Sequence, residues 1–144
     1  MSKTFDFAIP APRFDLDLAN TGIEKPIYDE NKTLYGYFKF GLQDDSNPRL
    51  RVAKQRYETA NAERIEGMND FERVVDRFVE LYLKGWREVK SGDGKDMPFS
   101  KDAAKAYLNH PAFYFVAEQL WPMSHNVKLF QLPGVASKDE ETKN

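Results

Sequence analysis

The chain has 144 residues, enough for one domain to bury a core without a metal or a disulfide to staple it. A net charge of −2 offers no field to gather nucleic-acid phosphates, and the absence of cysteine rules out disulfides, cysteine-ligated zinc and a thiol nucleophile. The 41% hydrophobic and 31% charged fractions suit a globular domain with a charged surface. No apolar run approaches the roughly 20 residues of a membrane span, and no basic-then-apolar leader opens the chain. The expected setting is therefore a reducing cytoplasm.

Residues 1–24 carry apolar side chains at period two: Phe5, Phe7 and Ile9, then Phe14, Leu16 and Leu18. Two short strands around Pro10-Ala11-Pro12 fit this pattern. The prolines break any long strand, so the preferred reading is an extended arm, ordered only where it lies on the domain or on a partner. Residues 25–42 predict a β-hairpin turning at Asp29-Glu30-Asn31-Lys32. Leu34, Phe38 and Phe40 are expected inward, with Tyr35, Tyr37 and Lys39 outward. Gly36 either weakens the second strand or marks a close approach. A lone hairpin is marginal in water and must pack on something.

Ser46 or Asn47 caps a helix that opens with Pro48 and runs to about residue 66. Leu50, Ala53, Tyr57, Ala60 and Ile65 give it a thin apolar stripe, and Gly67 ends it. Asn69 or Asp70 caps the strongest amphipathic stretch. Phe71, Val74, Val75, Phe78, Tyr82 and Trp86 recur at three- and four-residue steps and so share one helix face. Glu72, Arg73, Asp76, Arg77 and Glu80 fall mostly on the other. Trp86 and Phe78 are thus expected in the core. Asp93-Gly94 suits a tight turn, and Ser100 caps a helix from Lys101 to about Leu108, packed through Ala103, Ala104, Tyr107 and Leu108. Asn109-His110-Pro111 starts another helix. Its residues Ala112 to Trp121 are apolar on nearly every side, which predicts the most buried element, and Pro122 should kink or end it. Val127, Leu129 and Phe130 extend the apolar content, and residues 133–144 read as a disordered tail. The sum is an α+β, mostly α, chain. It has an arm at 1–24 and one globular domain at 25–132, in which the hairpin packs on a bundle of about four helices.

No catalytic residue, metal ligand or cofactor site emerges. His110 precedes a proline and suits a capping or surface role. His125 has no neighbour at metal-ligand spacing. Asp44/Asp45 and Asp93/Asp96 are explained by caps and turns, since Lys95 stands where a calcium loop needs an acid. Phosphate-cradling and nucleophile-elbow motifs are missing. Arg49, Arg51, Lys54 and Arg56 cluster at the start of the first long helix. Glu58, Glu63 and Glu66 follow, so the pattern reads as a solvated face with ion pairs rather than a nucleic-acid surface.

Tyr82-Leu83-Lys84-Gly85-Trp86-Arg87-Glu88-Val89, then Asp93-Gly94-Lys95-Asp96-Met97-Pro98-Phe99-Ser100, then Ala103-Ala104, Leu108 and Pro111, form a helix–turn–helix pattern. It resembles the small tail assembly chaperones of long-tailed bacteriophages over about residues 45–120. The arm has no counterpart in that family. The resemblance implies a protein of the host cytoplasm that binds the helical tape-measure protein and keeps it soluble until tube subunits polymerise around it. The tail tube protein and self-association are further partners it suggests. It also raises the prospect of a longer frameshifted form, with residues 133–144 near the junction. No nucleic acid, membrane or cofactor is implied. The expected contact surface uses the aromatics least accounted for by one core: Tyr35 and Tyr37 on the hairpin, or Trp121 and Phe130 at the last helix. The competing reading is a virion structural subunit, such as a tail-completion or head–tail joining protein, whose arm adds a strand to a neighbour.

Overall fold

Five α-helices and a three-stranded antiparallel sheet build the described residues, 4–132, of the computed structural model, an α+β and mostly α architecture. In chain order they are α1 (Leu16–Thr21), β1 (Ile23–Tyr28), β2 (Leu34–Phe40), α2 (Pro48–Glu66), α3 (Asp70–Leu81), β3 (Leu83–Arg87), α4 (Lys101–Asn109) and α5 (Tyr114–Ser124). Short 3-10 turns at Pro111–Phe113 and Val127–Phe130 flank α5. The tail expected at 133–144 lies outside the described residues. No helix among those described is long and apolar enough to cross a membrane.

The local signals set the helix starts. Asn47, Asn69 and Ser100 each accept a backbone N–H of the first turn, and Asn69 and Glu72 form a reciprocal capping box. His110 caps the turn before α5, its Nδ1 accepting from Ala112 N at 3.0 Å. In the hairpin turn, Asp29 accepts from the backbone N–H groups of Asn31 and Thr33 at 2.9 Å each.

The strand order is β1-β2-β3, and the third strand departs from the sequence reading. Trp86 does not continue the α3 stripe. The helix ends at Leu81, and Leu83–Arg87 pairs antiparallel with β2, placing Trp86 opposite Phe38. The free edge of β2 presents unpaired backbone groups, and a third strand satisfies them where one more helical turn cannot. Trp86 is still core: its ring meets Phe38 edge-on at 6.0 Å, and its Nε1 donates to the Met97 carbonyl at 2.8 Å. Phe78 is core as well.

Two bulges re-aim side chains. Ile27 pairs with Gly36 and Tyr28 with Leu34, so Tyr35 is the extra residue. Leu34, expected inward, is consequently exposed, and Tyr35 turns toward Phe113 and Phe115. On β3, Lys84 is the extra residue, which lets Leu83 and Trp86 both face the core. Gly36 marks a close approach. Its φ is 146°, and a Cβ there would stand 2.6 Å from Val89 Cγ2.

The arm is shorter than residues 1–24. Phe14 and Leu18 pack at a helical spacing against the core, and Ala19 is buried, whereas Leu16 faces solvent. Asp15 caps α1 by accepting from Leu18 N at 2.7 Å, while its own N–H donates to Phe130 O at 2.7 Å. Phe5, Phe7 and Ile9 precede this anchor without regular structure and are exposed.

Ile27, Phe38, Phe40, Leu83 and Trp86 of the sheet share one core with Val75, Phe78 and Val79 of α3, Leu108 of α4 and Val116 and Leu120 of α5. α5 is not the fully buried rod its composition predicts. Val116, Ala117, Leu120 and Ser124 face inward, while Tyr114, Glu118 and Gln119 face out. Pro122, expected to kink or end the helix, does not end it: α5 continues through it and stops two residues later at Ser124. On α2 only Leu50 and Tyr57 are buried, and Ala60, expected on its stripe, is exposed.

Candidate functional site

Among the described residues, Asp76 is the one charged side chain that the fold buries. The helical period places it with the solvated residues of α3, yet it is only 2% exposed. α2 supplies Tyr57, whose hydroxyl donates to Oδ2, and Arg64, whose two terminal nitrogens each donate at 2.7 Å. Lys105 of α4 places Nζ 3.0 Å from Oδ1 and 2.8 Å from Glu80 Oε1, and Lys101 reaches Glu80 at 3.1 Å. Burial alone would push the Asp76 carboxyl up. The hydrogen bonds from Arg64, Tyr57 and Lys105 outweigh it and hold the group well below the usual carboxylate range. Burial and the same carboxylate push the Tyr57 hydroxyl well above its ordinary value. Both carboxylate oxygens are thus occupied by protein donors, leaving no lone pair free for a reacting atom. The cluster clamps α2, α3 and α4 together; its geometry is structural.

The histidines offer no alternative. His110 serves as a cap, and His125 sits exposed at the end of α5. Among the described residues, no group of His, Asp and Glu is arranged to hold a metal. Asp93 closes the predicted tight turn by accepting from Lys95 N at 3.0 Å, and Gly94 adopts φ 82° there.

On the folded body, an aromatic surface lies between α3 and α5. Phe71 and Val74 on the first turns of α3 face Tyr114, Ala117 and Trp121 on α5 across an open groove of about 520 Å³. Phe71 and Tyr114 approach at 5.7 Å between ring centres and remain 37% and 52% exposed. Trp121 forms the floor, stacked on Phe78 at 4.8 Å with 18° between the rings. Asp70 and Glu118 also line the groove. Such a trough, walled by two helices, suits apolar residues that recur on one face of a third helix.

Of the aromatics proposed from the sequence, the structure brings only Trp121 to this groove. Tyr35 packs half-buried against the edges of Phe115 at 4.9 Å and Phe113 at 6.4 Å. Tyr37 lies half-buried beneath the Arg87 guanidinium, 3.9 Å from its ring centre, on the outer face of the sheet. Phe130 is a correction: it is fully buried, edge-on to Phe40 at 6.2 Å, because the 3-10 turn after α5 folds it beneath the sheet. It presents no contact surface. Phe71, Val74 and Tyr114 are not among the contact residues expected from the sequence. For Tyr114 the sequence signal is the surplus of aromatics on α5: Tyr114, Phe115 and Trp121 are more than one buried face can absorb.

Comparisons with family models, with curated proteins and with solved structures return no match.

Proposed function

We propose that this is a binding protein rather than an enzyme: a tail assembly chaperone that covers an apolar helical segment of a tape-measure protein in the groove between α3 and α5. The observation that carries the reading is that groove, where Phe71, Tyr114 and Trp121 leave apolar surface in contact with solvent beside a filled core. A long helical chain awaiting its tube exposes such stripes and needs temporary cover. The acidic lining residues, Asp70 and Glu118, favour a segment with lysine or arginine flanking its apolar anchors. The saturated Asp76 cluster and the separated histidines support binding over turnover. Host cytoplasm is the matching location.

The test is co-expression with a tape-measure protein from the same source. Soluble yield and a complex in gel filtration are expected. Phe71→Asp or Tyr114→Asp should abolish both while leaving thermal unfolding within about 1 kcal/mol of wild type, since both residues are partly exposed. A tape-measure protein equally soluble without this chain, with no complex formed, refutes the reading. One observation favours the virion-subunit alternative: Phe5, Phe7 and Ile9 lie exposed on an arm that is free to add to a neighbour. Recovery of the protein from purified particles would move that alternative ahead.

A further inference from the structure

A second cleft, of about 540 Å³, opens between α1, α2 and the junction of α3 with β3. Its character is opposite to that of the α3/α5 groove. Arg49 and Arg56 of α2 and Lys84 of β3 line it, and no acidic side chain does. Among the described residues, none of these three cations has an ion-pair partner, whereas Lys54 on the same helix is paired with Asp45. The apolar side chains Leu42, Leu50 and Val52 also line it, and Val52 is 49% exposed.

Lys84 is exposed, and its stem lies along the cleft wall. As the bulge residue of β3, it sends its stem across two glycines. A Cβ on Gly22 would stand 3.1 Å from Lys84 Cγ, and one on Gly41 would stand 3.5 Å from Cε. The ammonium donates to Leu81 O at 3.3 Å. Burial lowers its proton affinity first, and the positive charges of Lys101 and Arg49 lower it further. Like charges held together without a counter-charge raise the energy of the empty cleft, and an anionic occupant relieves that.

We propose that this cleft binds an acidic peptide segment of a partner protein, with carboxylates meeting Arg49, Arg56 and Lys84 and an apolar side chain anchored beside Leu50 and Val52. Nucleic acid fits less well. The solvent-facing lining has no free aromatic face on which a base stacks, its apolar wall has no use for phosphate, and the chain as a whole carries −2. The surface is separate from the α3/α5 groove, and the proposal stands whether or not that groove holds a tape-measure helix.

The experiment is a fluorescence-anisotropy titration of the full chain with a short labelled peptide of glutamates and leucines, and with its lysine-for-glutamate counterpart. Saturable, salt-sensitive binding of the acidic peptide alone is expected. R49E and R56E should each weaken it about tenfold, and Val52→Asp should weaken it comparably, through removal of the charge pairs and of the apolar contact respectively. Tyr114→Asp should leave it unchanged, which separates this cleft from the α3/α5 groove. Arg49 and Arg56 are solvent-exposed, so both variants should fold; R49Q and R56Q remove the charge without reversing it if they do not. Absence of saturable binding overturns the proposal, as does equal affinity in the R49E/R56E double variant. Tighter binding of a single-stranded oligonucleotide, lost in the same variants, also overturns it.

Discussion

Removing the Asp76 carboxylate should be the most damaging single change to a polar group in this fold. In Asp76→Ala the Tyr57 hydroxyl, the Arg64 guanidinium and the Lys105 ammonium lose their shared acceptor. Breaking a buried ion pair from one side costs about 3–5 kcal/mol, because the remaining charge stays desolvated. Here the side chain of Arg64 is 41% exposed and that of Lys105 19%, and Lys105 keeps Glu80, so both charges find some relief. Tyr57 is 8% exposed and its hydroxyl finds little. The lower end, about 3 kcal/mol, is therefore expected, which at roughly 3 °C per kcal/mol lowers the melting temperature by about 10 °C. Tryptophan fluorescence through a urea or thermal transition measures it. The pH dependence has a definite sign. A carboxyl whose folded pKa is depressed contributes its full stability above the unfolded value of about 3.9 and loses it as pH falls toward the folded value. The gap between wild type and Asp76→Asn should accordingly stay constant from neutral pH to about 5 and close below about 4. A loss under about 1 kcal/mol at neutral pH in Asp76→Ala, or a gap that widens on acidification, refutes the clamp.

Trp86→Ala should cost about 3–5 kcal/mol, seen as an early urea midpoint, because it empties the space against Phe38 and leaves the Met97 carbonyl without its donor. Gly36→Ala should destabilise by about 1–3 kcal/mol, since the new methyl meets Val89 at a backbone angle that alanine resists; an unchanged midpoint would show that β2 and the chain after β3 separate freely. Asn69→Ala should cost about 1 kcal/mol through loss of the capping box of α3, with reduced amide-exchange protection confined to its first turn.

What the sequence determined by itself was local chemistry. Asn47-Pro48, Asn69 with Glu72, Ser100 and His110-Pro111 place the helix starts because each cap satisfies amides within three residues of itself. The turn at Asp29–Lys32 and the burial of Phe38 and Phe40 follow from residues two to four apart. The α1 helix is not legible in the sequence because Leu16 and Leu18 imitate a strand. Its fold is fixed from far away, by Phe130 O accepting from Asp15 N and by Ala19 O accepting from Leu42 N. β3 is likewise hidden: Trp86 continues a helical spacing from Tyr82, and only the open edge of β2 makes the strand preferable. Asp76 reads as surface from its own helix. It becomes buried because Tyr57, Arg64 and Lys105 arrive from two other helices. The aromatic content of α5 signalled more apolar surface than one core consumes. Which part stays open was decided by packing: Phe130 turns under the sheet, while Phe71 and Tyr114 are left facing each other across the groove. Caps and turns are satisfied by neighbours in the chain, so they are written in it residue by residue. Burial and exposure depend on which distant surfaces meet, and a linear pattern states only how much apolar surface there is to hide.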